Sequence, residues 1–209
     1  SLRRQRQMCI RDRLDSAGNL LVRTTIVNDT PFEGDQTFRL VATNTGGVSA
    51  EGVGTIHDDG TGSYFPDQAP ALVNGVVTPV SDPNAVLNDD RPLSVSDVDV
   101  NEGSPYAVFT VHGQAGQQVS LTTQNGTAAG GTSSPSDGSV DFGTKLEVWN
   151  GTAWVAYTPG SLVTLDANGN VLVRMAIVND TPFEGAQTFN LVATVNGGTS
   201  ATGVGTIHD

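Results

Sequence analysis

The sequence contains a long internal repeat. Residues Leu14–Asp58 return as Leu165–Asp209, at an offset of about 151 residues and with about three-quarters of the positions identical. The matches form unbroken blocks, such as the segment IVNDTPFEG at 26–34 and 177–185. A repeat at this spacing is typical of tandem arrays, in which each module contacts its neighbours. Repetition serves length, valency or spacing, and it therefore favours a structural or binding role over catalysis.

The two copies differ in what precedes them. About 70 residues before the second copy can complete a domain, so we expect 93–209 to be a whole module and 14–58 to be the C-terminal part of another. Residues 59–92 are rich in Gly, Pro, Asp and Asn, which predicts a linker with one weak strand at Leu72–Val77. Residues 1–13, SLRRQRQMCIRDR, resemble translated sequencing-adaptor read-through and are set aside as non-native. The alternative is a basic arm that binds an anion or a membrane surface.

The charge balance limits the partners of the chain. The sequence has 10 Lys and Arg against 22 Asp and Glu, a formal net charge of −12. Residues 1–13 hold five of the arginines and one aspartate, so the remainder has five basic and 21 acidic residues, or −16. Such a surface repels phosphate backbones and attracts cations, and we expect no nucleic-acid partner. We also expect no direct membrane insertion, because the sequence lacks a membrane-length apolar run.

The hydrophobic pattern predicts strands. In Gln187–Thr194 the apolar residues Phe189, Leu191 and Ala193 alternate with polar ones, the period of a half-buried strand. The preceding strand places four apolar residues on one face: Val171, Val173, Met175 and Ile177. Four further strands are predicted between turn signals: Tyr106–Val111, Gln117–Thr123, Lys145–Trp149 and Trp154–Thr158, with a hairpin turn at Asn150-Gly151.

Short strands at this spacing favour an all-β fold. We expect an antiparallel β-sandwich of about seven strands over 93–209. Residues 14–58 would supply only the last three strands of such a sandwich. Their core face then lacks a partner sheet, and we expect this part to be marginal in isolation.

Acidic residues flank the predicted turns. Asp180 and Glu184 bracket one turn, and Asp29 and Glu33 do the same in the first copy. Loops distant in sequence meet at the same pole of a Greek-key sandwich, so several carboxylates can converge there. All-oxygen ligands suit Ca²⁺, which accepts about six to eight oxygens, whereas one cysteine and three histidines disfavour softer metals. The alternative is that Asp180 and Glu184 cap the turn by accepting backbone N–H bonds, without a metal.

Several short motifs occur in a distinctive order along the second module. They are Asn-Glu-Gly at 101–103, Gly-Thr-Ala at 126–128, Asp-Phe at 141–142, IVND and EG within 177–185, TFNL at 188–191 and GTIHD at 205–209. Together they resemble a Calx-beta domain, as found in tandem repeats of large bacterial surface adhesins. The resemblance implies an immunoglobulin-like sandwich that binds Ca²⁺ through carboxylates at one pole. By position, it implies the ligands Glu102, Asp141, Asp180, Glu184 and Asp209, and a partial site in the first repeat at Asp29, Glu33, Asp58 and Asp59.

The sequence therefore predicts a structural repeat module of a secreted or cell-surface bacterial protein, an adhesin-type stalk stiffened by calcium. Its expected partners are neighbouring repeats of the same chain and a surface glycan or protein ligand. The alternative function is a carbohydrate-binding module that uses Trp149, Trp154 and Tyr157, for which exposed, coplanar rings are required. We do not expect an enzyme, because no serine or cysteine nucleophile motif accompanies the three histidines.

Overall fold

The computed structural model describes residues 14, 16–29, 31–66, 71–73, 76–78, 85–133 and 138–209. The segment 1–13, predicted to be non-native, lies outside the described residues. The described parts of Ser1–Asn28 and Ser63–Ala85 form one compact unit, and those of Asp29–Gly62 and Val86–Asp209 form a second. No helix among the described residues is long and apolar enough to cross a membrane.

The secondary structure is all-β, as the sequence predicts. The described residues form sixteen strands and no helix. In chain order the strands are β1 (Gln36–Thr43), β2 (Ser49–Ile56), β3 (Ala71–Val73), β4 (Val76–Thr78), β5 (Ser94–Val95), β6 (Val98–Asn101), β7 (Tyr106–His112), β8 (Gln118–Asn125), β9 (Gly130–Gly131), β10 (Phe142–Gly143), β11 (Glu147–Trp149), β12 (Trp154–Ala156), β13 (Val163–Thr164), β14 (Asn170–Ala176), β15 (Gln187–Val195) and β16 (Ser200–His208).

Two five-stranded sheets form the sandwich over residues 93–209. One has the strand order β12-β11-β14-β7-β5, and the other has the order β13-β8-β15-β16-β6. Most pairs are antiparallel, but β6 lies parallel to β16. A short parallel pair, β9 and β10, lies outside both sheets. The strands beyond the predicted set are mostly two or three residues long, which is too short for a periodic pattern to reveal them.

The core lies between the two sheets, on the faces that alternation predicts. Phe189, Leu191 and Ala193 are each 0% exposed, and every second residue of β7 and β14 is also buried. Phe109 of β7 contacts Phe189 of β15 edge to face, with 5.8 Å between the ring centroids. Phe142 stacks on the same Phe189 ring at 4.5 Å. These rings join the two sheets and fix the position of β10, which immediately follows Asp141.

The first copy forms a hairpin with the same register as the second. Phe38 faces Gly54 in β1–β2, just as Phe189 faces Gly205 in β15–β16. The third strand expected for this copy is not formed: residues 19–29, where it would lie, contain no strand. In the second copy the corresponding strand, β14, lies between β7 and β11. No described residues supply such neighbours to the first copy.

The residues predicted as a linker, 59–92, contribute to both compact units. Where the sequence predicts one weak strand at Leu72–Val77, the structure has the antiparallel pair β3–β4. The later residues approach the sandwich, and the Asn88 side chain donates to the Gly197 carbonyl at 3.2 Å. Residues 86–92 belong to the same compact unit as 93–209, and the predicted module boundary at Leu93 stays a prediction.

Candidate metal centre

Three segments that are distant in sequence meet at one pole of the sandwich. They are the residues that precede β10, the turn between β14 and β15, and the loop between β6 and β7. A bridge pairs Phe142 with Ile177, and the Val178 N–H donates to the Asp141 carbonyl at 2.9 Å. This pairing places Asp141 beside the turn that carries Asp180 and Glu184.

Asp141 is the buried member of the group. It is 4% exposed, and its Oδ2 accepts the Ala129 N–H at 2.6 Å. Its backbone is held as well, because the Asp141 N–H donates to the Ala129 carbonyl at 2.8 Å. The carboxylate is therefore fixed in position before any ligand arrives.

The carboxylates of Asp141, Asp180 and Glu184 converge. Each offers an oxygen, and these oxygens all lie within 4.8 Å of one another. Asp180 is half-buried and Glu184 is exposed. The pKa of Glu184 is raised above its ordinary value by partial removal of its carboxylate from water, then by the negative charges of Asp141 and Asp180. Three acids this close repel one another, and a cation or a proton relieves the repulsion.

Glu102 and Asp209 bind the backbone of the turn between β14 and β15 and do not belong to the converging group. Glu102 Oε1 accepts the Asp180 N–H at 2.6 Å, and Asp209 Oδ2 accepts the Glu184 N–H at 2.6 Å. The Glu102 N–H in turn donates to the His208 carbonyl at 2.7 Å. All five residues that the resemblance implies are thus brought to one pole. Three form the converging group, and the other two bind backbone amides of the turn.

The partial site predicted in the first repeat has a different arrangement. Asp58 Oδ2 accepts the Glu33 N–H at 3.0 Å, which repeats the contact of Asp209 with Glu184. Asp59 instead accepts both the backbone N–H and the hydroxyl of Thr61, at 3.1 and 2.5 Å. The hydrogen bond from the Thr61 hydroxyl lowers the pKa of Asp59. Among the described residues, only the Asp141 group brings three such side chains within the spacing of a metal site. The partial site at Asp29, Glu33, Asp58 and Asp59 stays a prediction.

The three aromatic residues of the carbohydrate-binding alternative do not form a coplanar surface. The rings of Trp149 and Trp154 cross at 61°, with 5.5 Å between their centroids. The Arg174 guanidinium covers the Trp154 ring at 4.5 Å. The Tyr157 hydroxyl accepts the Leu121 N–H at 3.0 Å and donates to the Ser161 carbonyl at 2.8 Å. Trp149 is 37% exposed, but the rings lack the coplanar arrangement that a sugar-stacking platform requires.

Two buried acids carry no signal in the sequence analysis: Asp89, which is 2% exposed and pairs with Arg91, and Asp90. Asp90 is 7% exposed and lies where the end of the first copy meets the following residues. Its local sequence, Asn-Asp-Asp-Arg, is typical of an exposed linker, and only the tertiary contacts reveal its burial.

Comparisons with known proteins identify similar folds over part of the chain. No protein-family model and no curated protein matches the sequence. Among solved structures, the apo-form Calx CBD1 domain is 17% identical with a TM-score of 0.36, covering 56% of this chain and 98% of that one. CBD12 from CALX1.2 is 15% identical with a TM-score of 0.34, covering 56% and 43%. The E. coli chaperone DraB is 12% identical with a TM-score of 0.33, covering 56% and 53%. The candidate centre consequently rests on the geometry of this chain's own residues.

Proposed function

We propose that residues 93–209 are a structural repeat module of a large extracellular or cell-surface bacterial protein, an adhesin-type stalk, and that Ca²⁺ binds at one pole of the module. The observation that carries the calcium proposal is the convergence of oxygens from Asp141, Asp180 and Glu184 within 4.8 Å. The sandwich supplies the module, and the internal repeat supports a serial arrangement. Neighbouring repeats are then the first partners, and a surface glycan or protein ligand binds elsewhere in the parent.

The donor set fits a hard cation. The three converging groups are carboxylates, and Ca²⁺ accepts mixed carboxylates, backbone carbonyls and water in flexible geometry. Asp141, Asp180 and Glu184 would hold the ion, while Glu102 and Asp209 keep the turn in place through its backbone amides. The bound ion would neutralise acids that otherwise repel one another. It would also tie the segment before β10 to the turn between β14 and β15, and so stiffen the pole.

The stalk proposal follows from charge and repetition. Outside residues 1–13, the chain carries a formal charge of −16. Acidic modules in series repel one another, so a cation that neutralises the poles favours a defined, extended array. Extracellular calcium is available at about millimolar concentration, which matches the affinity range of extracellular calcium modules, roughly 10⁻⁴ to 10⁻³ M.

A calcium titration of the whole chain tests the proposal. We expect the melting temperature to rise with calcium chloride, because a ligand at about 100 times its Kd stabilises the folded state by about 2.7 kcal/mol. The substitution Glu184→Gln removes one of the three converging charges and should weaken binding by roughly tenfold, equivalent to about 1.4 kcal/mol. Small-angle scattering of a two-module parent, recorded in the same titration, should show a larger maximum dimension with calcium.

The matched control is Glu51→Gln. It makes the same chemical change at an exposed glutamate, whose partner Arg39 is itself 71% exposed in its side chain. Calcium binding should be unaffected, since exposed ion pairs contribute little. Equal losses in Glu184→Gln and Glu51→Gln would show that calcium acts only on net charge, and the proposed centre would then be wrong.

A further inference from the structure

The hairpin between β11 and β12 ends in an exposed asparagine that begins an Asn-x-Thr sequence. Asn150, Gly151 and Thr152 are all exposed. The Asn150 N–H closes the turn by donating to the Ala153 carbonyl at 3.1 Å. Asn-x-Thr is the acceptor sequence for N-linked glycosylation, in which the Asn side chain receives the sugar. The hairpin therefore presents this sequence where an enzyme can reach it.

The Asn150 carboxamide is held by three donors on one atom. Its Oδ1 accepts the Thr152 N–H at 3.0 Å, the Thr152 hydroxyl at 2.9 Å and the Ala153 N–H at 2.9 Å. Gly151 allows this geometry, because its φ of +94° turns the chain back so that Thr152 faces Asn150. Within the described part of the chain, every hydrogen bond of the Asn150 side chain uses Oδ1 and none uses Nδ2.

The three donors increase the reactivity of Nδ2. An amide nitrogen is a poor nucleophile, and it becomes a better one when it loses a proton and the negative charge moves to the amide oxygen. Donors that already point at the atom where charge develops stabilise that charge without further reorganisation. One of the three donors to Asn150 is the Thr152 hydroxyl, which requires a hydroxyl residue at the third position of the sequence. The turn thus prepares Asn150 for attack on an electrophilic carbon.

A second Asn-x-Thr sequence, at 125–127, lacks this arrangement. Asn125 lies in β8, where it pairs with Phe189, and its Oδ1 accepts the Gly130 N–H at 3.0 Å. The Thr127 hydroxyl oxygen is engaged elsewhere, since it accepts the Thr188 N–H at 2.8 Å. The hydroxyl of this sequence therefore does not support its own asparagine.

A third such sequence, Asn179-Asp180-Thr181, is part of the candidate metal centre. Its Asp180 carries one of the converging carboxylates, and the Asp180 N–H donates to Glu102 at 2.6 Å. The fourth, at 28–30, includes a residue outside the described ones. The hairpin tip, by contrast, has open space, because a Cβ added at Gly151 would meet nothing within 4 Å. Asn150 is consequently the acceptor that the structure favours.

We propose that Asn150 is a site of N-linked glycosylation and that its substrate is a sugar activated as a glycosyl phosphate. Nδ2 attacks the anomeric carbon, and a C–N bond forms as the bond between that carbon and the phosphate oxygen breaks. The phosphate-bearing group leaves with the electron pair, and Nδ2 gives one proton to a base of the glycosyltransferase. The site shares no residue with the candidate metal centre and does not depend on calcium.

Two reactions on the purified full chain distinguish the source of the sugar. One uses a soluble asparagine glycosyltransferase with a nucleoside diphosphate hexose, and the other uses a membrane oligosaccharyltransferase with a lipid pyrophosphate oligosaccharide. Peptide mapping by mass spectrometry should find the sugar on Asn150 in at least one reaction, and not on Asn125 or Asn179. No product at Asn150 in either reaction, or equal products at Asn125, would overturn the proposal.

Variants of Thr152 test the role of its hydroxyl. Thr152→Val keeps the shape of the side chain but removes the hydroxyl donor, and it should slow glycosylation by about 100-fold, the loss typical of one donor to a developing oxyanion. Thr152→Ser keeps the hydroxyl and should retain the modification. Asn125→Gln is the matched control and should react like wild type. A Thr152→Val chain that reacts at the wild-type rate would contradict the proposed activation.

Proton exchange of the Asn150 carboxamide measures the activation without an enzyme. Base-catalysed exchange removes a proton from Nδ2 and passes through the same negatively charged amide. By NMR, the Asn150 side-chain NH₂ should exchange about tenfold or more faster in wild type than in Thr152→Val, with the melting temperature unchanged. Equal exchange in the two proteins would mean that the donors only hold the side chain in position, and the activation would then be wrong.

Discussion

Equivalent phenylalanines in the two copies occupy opposite environments. Phe189 is 0% exposed and contacts the rings of Phe109 and Phe142, whereas Phe38 is 39% exposed. The two residues share their local sequence, Gln-Thr-Phe, and their cross-strand glycine partner. Their difference therefore measures tertiary packing alone, with propensity and register held constant.

Truncation of the two phenylalanines tests this reasoning. Phe189→Ala should lower the free energy of unfolding by about 3–5 kcal/mol, because it removes a buried ring and leaves a cavity. Phe38→Ala should cost less than about 1 kcal/mol, in the range of ordinary surface changes. Denaturant unfolding at equilibrium provides both values. Similar losses at the two positions would mean that the first hairpin has a covering sheet in solution.

Sequence patterns predict the positions of some acidic side chains and miss others. The turn motif and the Greek-key argument place Glu102, Asp141, Asp180, Glu184 and Asp209 at one pole, and the structure brings them together there; their binding of calcium stays a prediction. Asp59 accepts two hydrogen bonds from Thr61, two residues later, which the sequence analysis does not anticipate, and its role as a ligand stays a prediction. Asp90 could not be selected, because its burial depends on contacts with the first copy.

The hairpins show which properties of an element are local. Both copies pair eight residues in equivalent registers, from Gln36 with Ile56 and from Gln187 with Ile207. Alternation and the turn residues predict these strands from sequence, since both signals lie within the element. The burial of the hairpin is not local. It requires β8 on one side and the opposite sheet across the core, and within the described parts of the chain only the second copy has both.

Substitution of the cross-strand glycine in each hairpin tests the difference between local pairing and tertiary burial. A Cβ added at Gly205 would lie 2.4 Å from the Phe189 ring and 3.0 Å from the Phe109 ring. Because Phe189 is enclosed, Gly205→Ala should cost about 1–3 kcal/mol through overpacking. In the first copy the Cβ would lie 2.5 Å from the Phe38 ring, but that ring can move into solvent.

Gly54→Ala should accordingly be close to neutral, since reduced freedom of the unfolded chain contributes about 0.4–1 kcal/mol in its favour. Thermal unfolding of the two variants, compared with wild type, measures the difference. A loss of stability in Gly54→Ala as large as that in Gly205→Ala would show that Phe38 is held as firmly as Phe189.

At the scale of the whole molecule, the contact between Asp89 and Gly198 controls how the copies meet. A Cβ built on Gly198 would lie 1.8 Å from the Asp89 carbonyl oxygen, so this position admits only glycine while residues 87–90 remain in place. The close approach puts Asn88 within reach of Gly197 and aligns Asp90 with Asp58. A module with a different residue here could retain its sandwich and still lose the backbone contacts between residues 58–60 and 88–90.

Gly198→Ala should therefore displace residues 87–90 without unfolding the sandwich. We expect the amide hydrogens of Gly60 and Asp90 to lose protection from solvent exchange by about tenfold or more, about 1.4 kcal/mol, because the displaced segment carries the acceptor of Gly60 and the Asp90 donor itself. The proposed calcium binding at the Asp141 pole should persist. Gly52→Ala is the control, since nothing lies within 4 Å of its added Cβ. Unchanged exchange at Gly60 and Asp90 in Gly198→Ala would mean that the backbone contacts between residues 58–60 and 88–90 form independently of the close approach of Asp89 to Gly198.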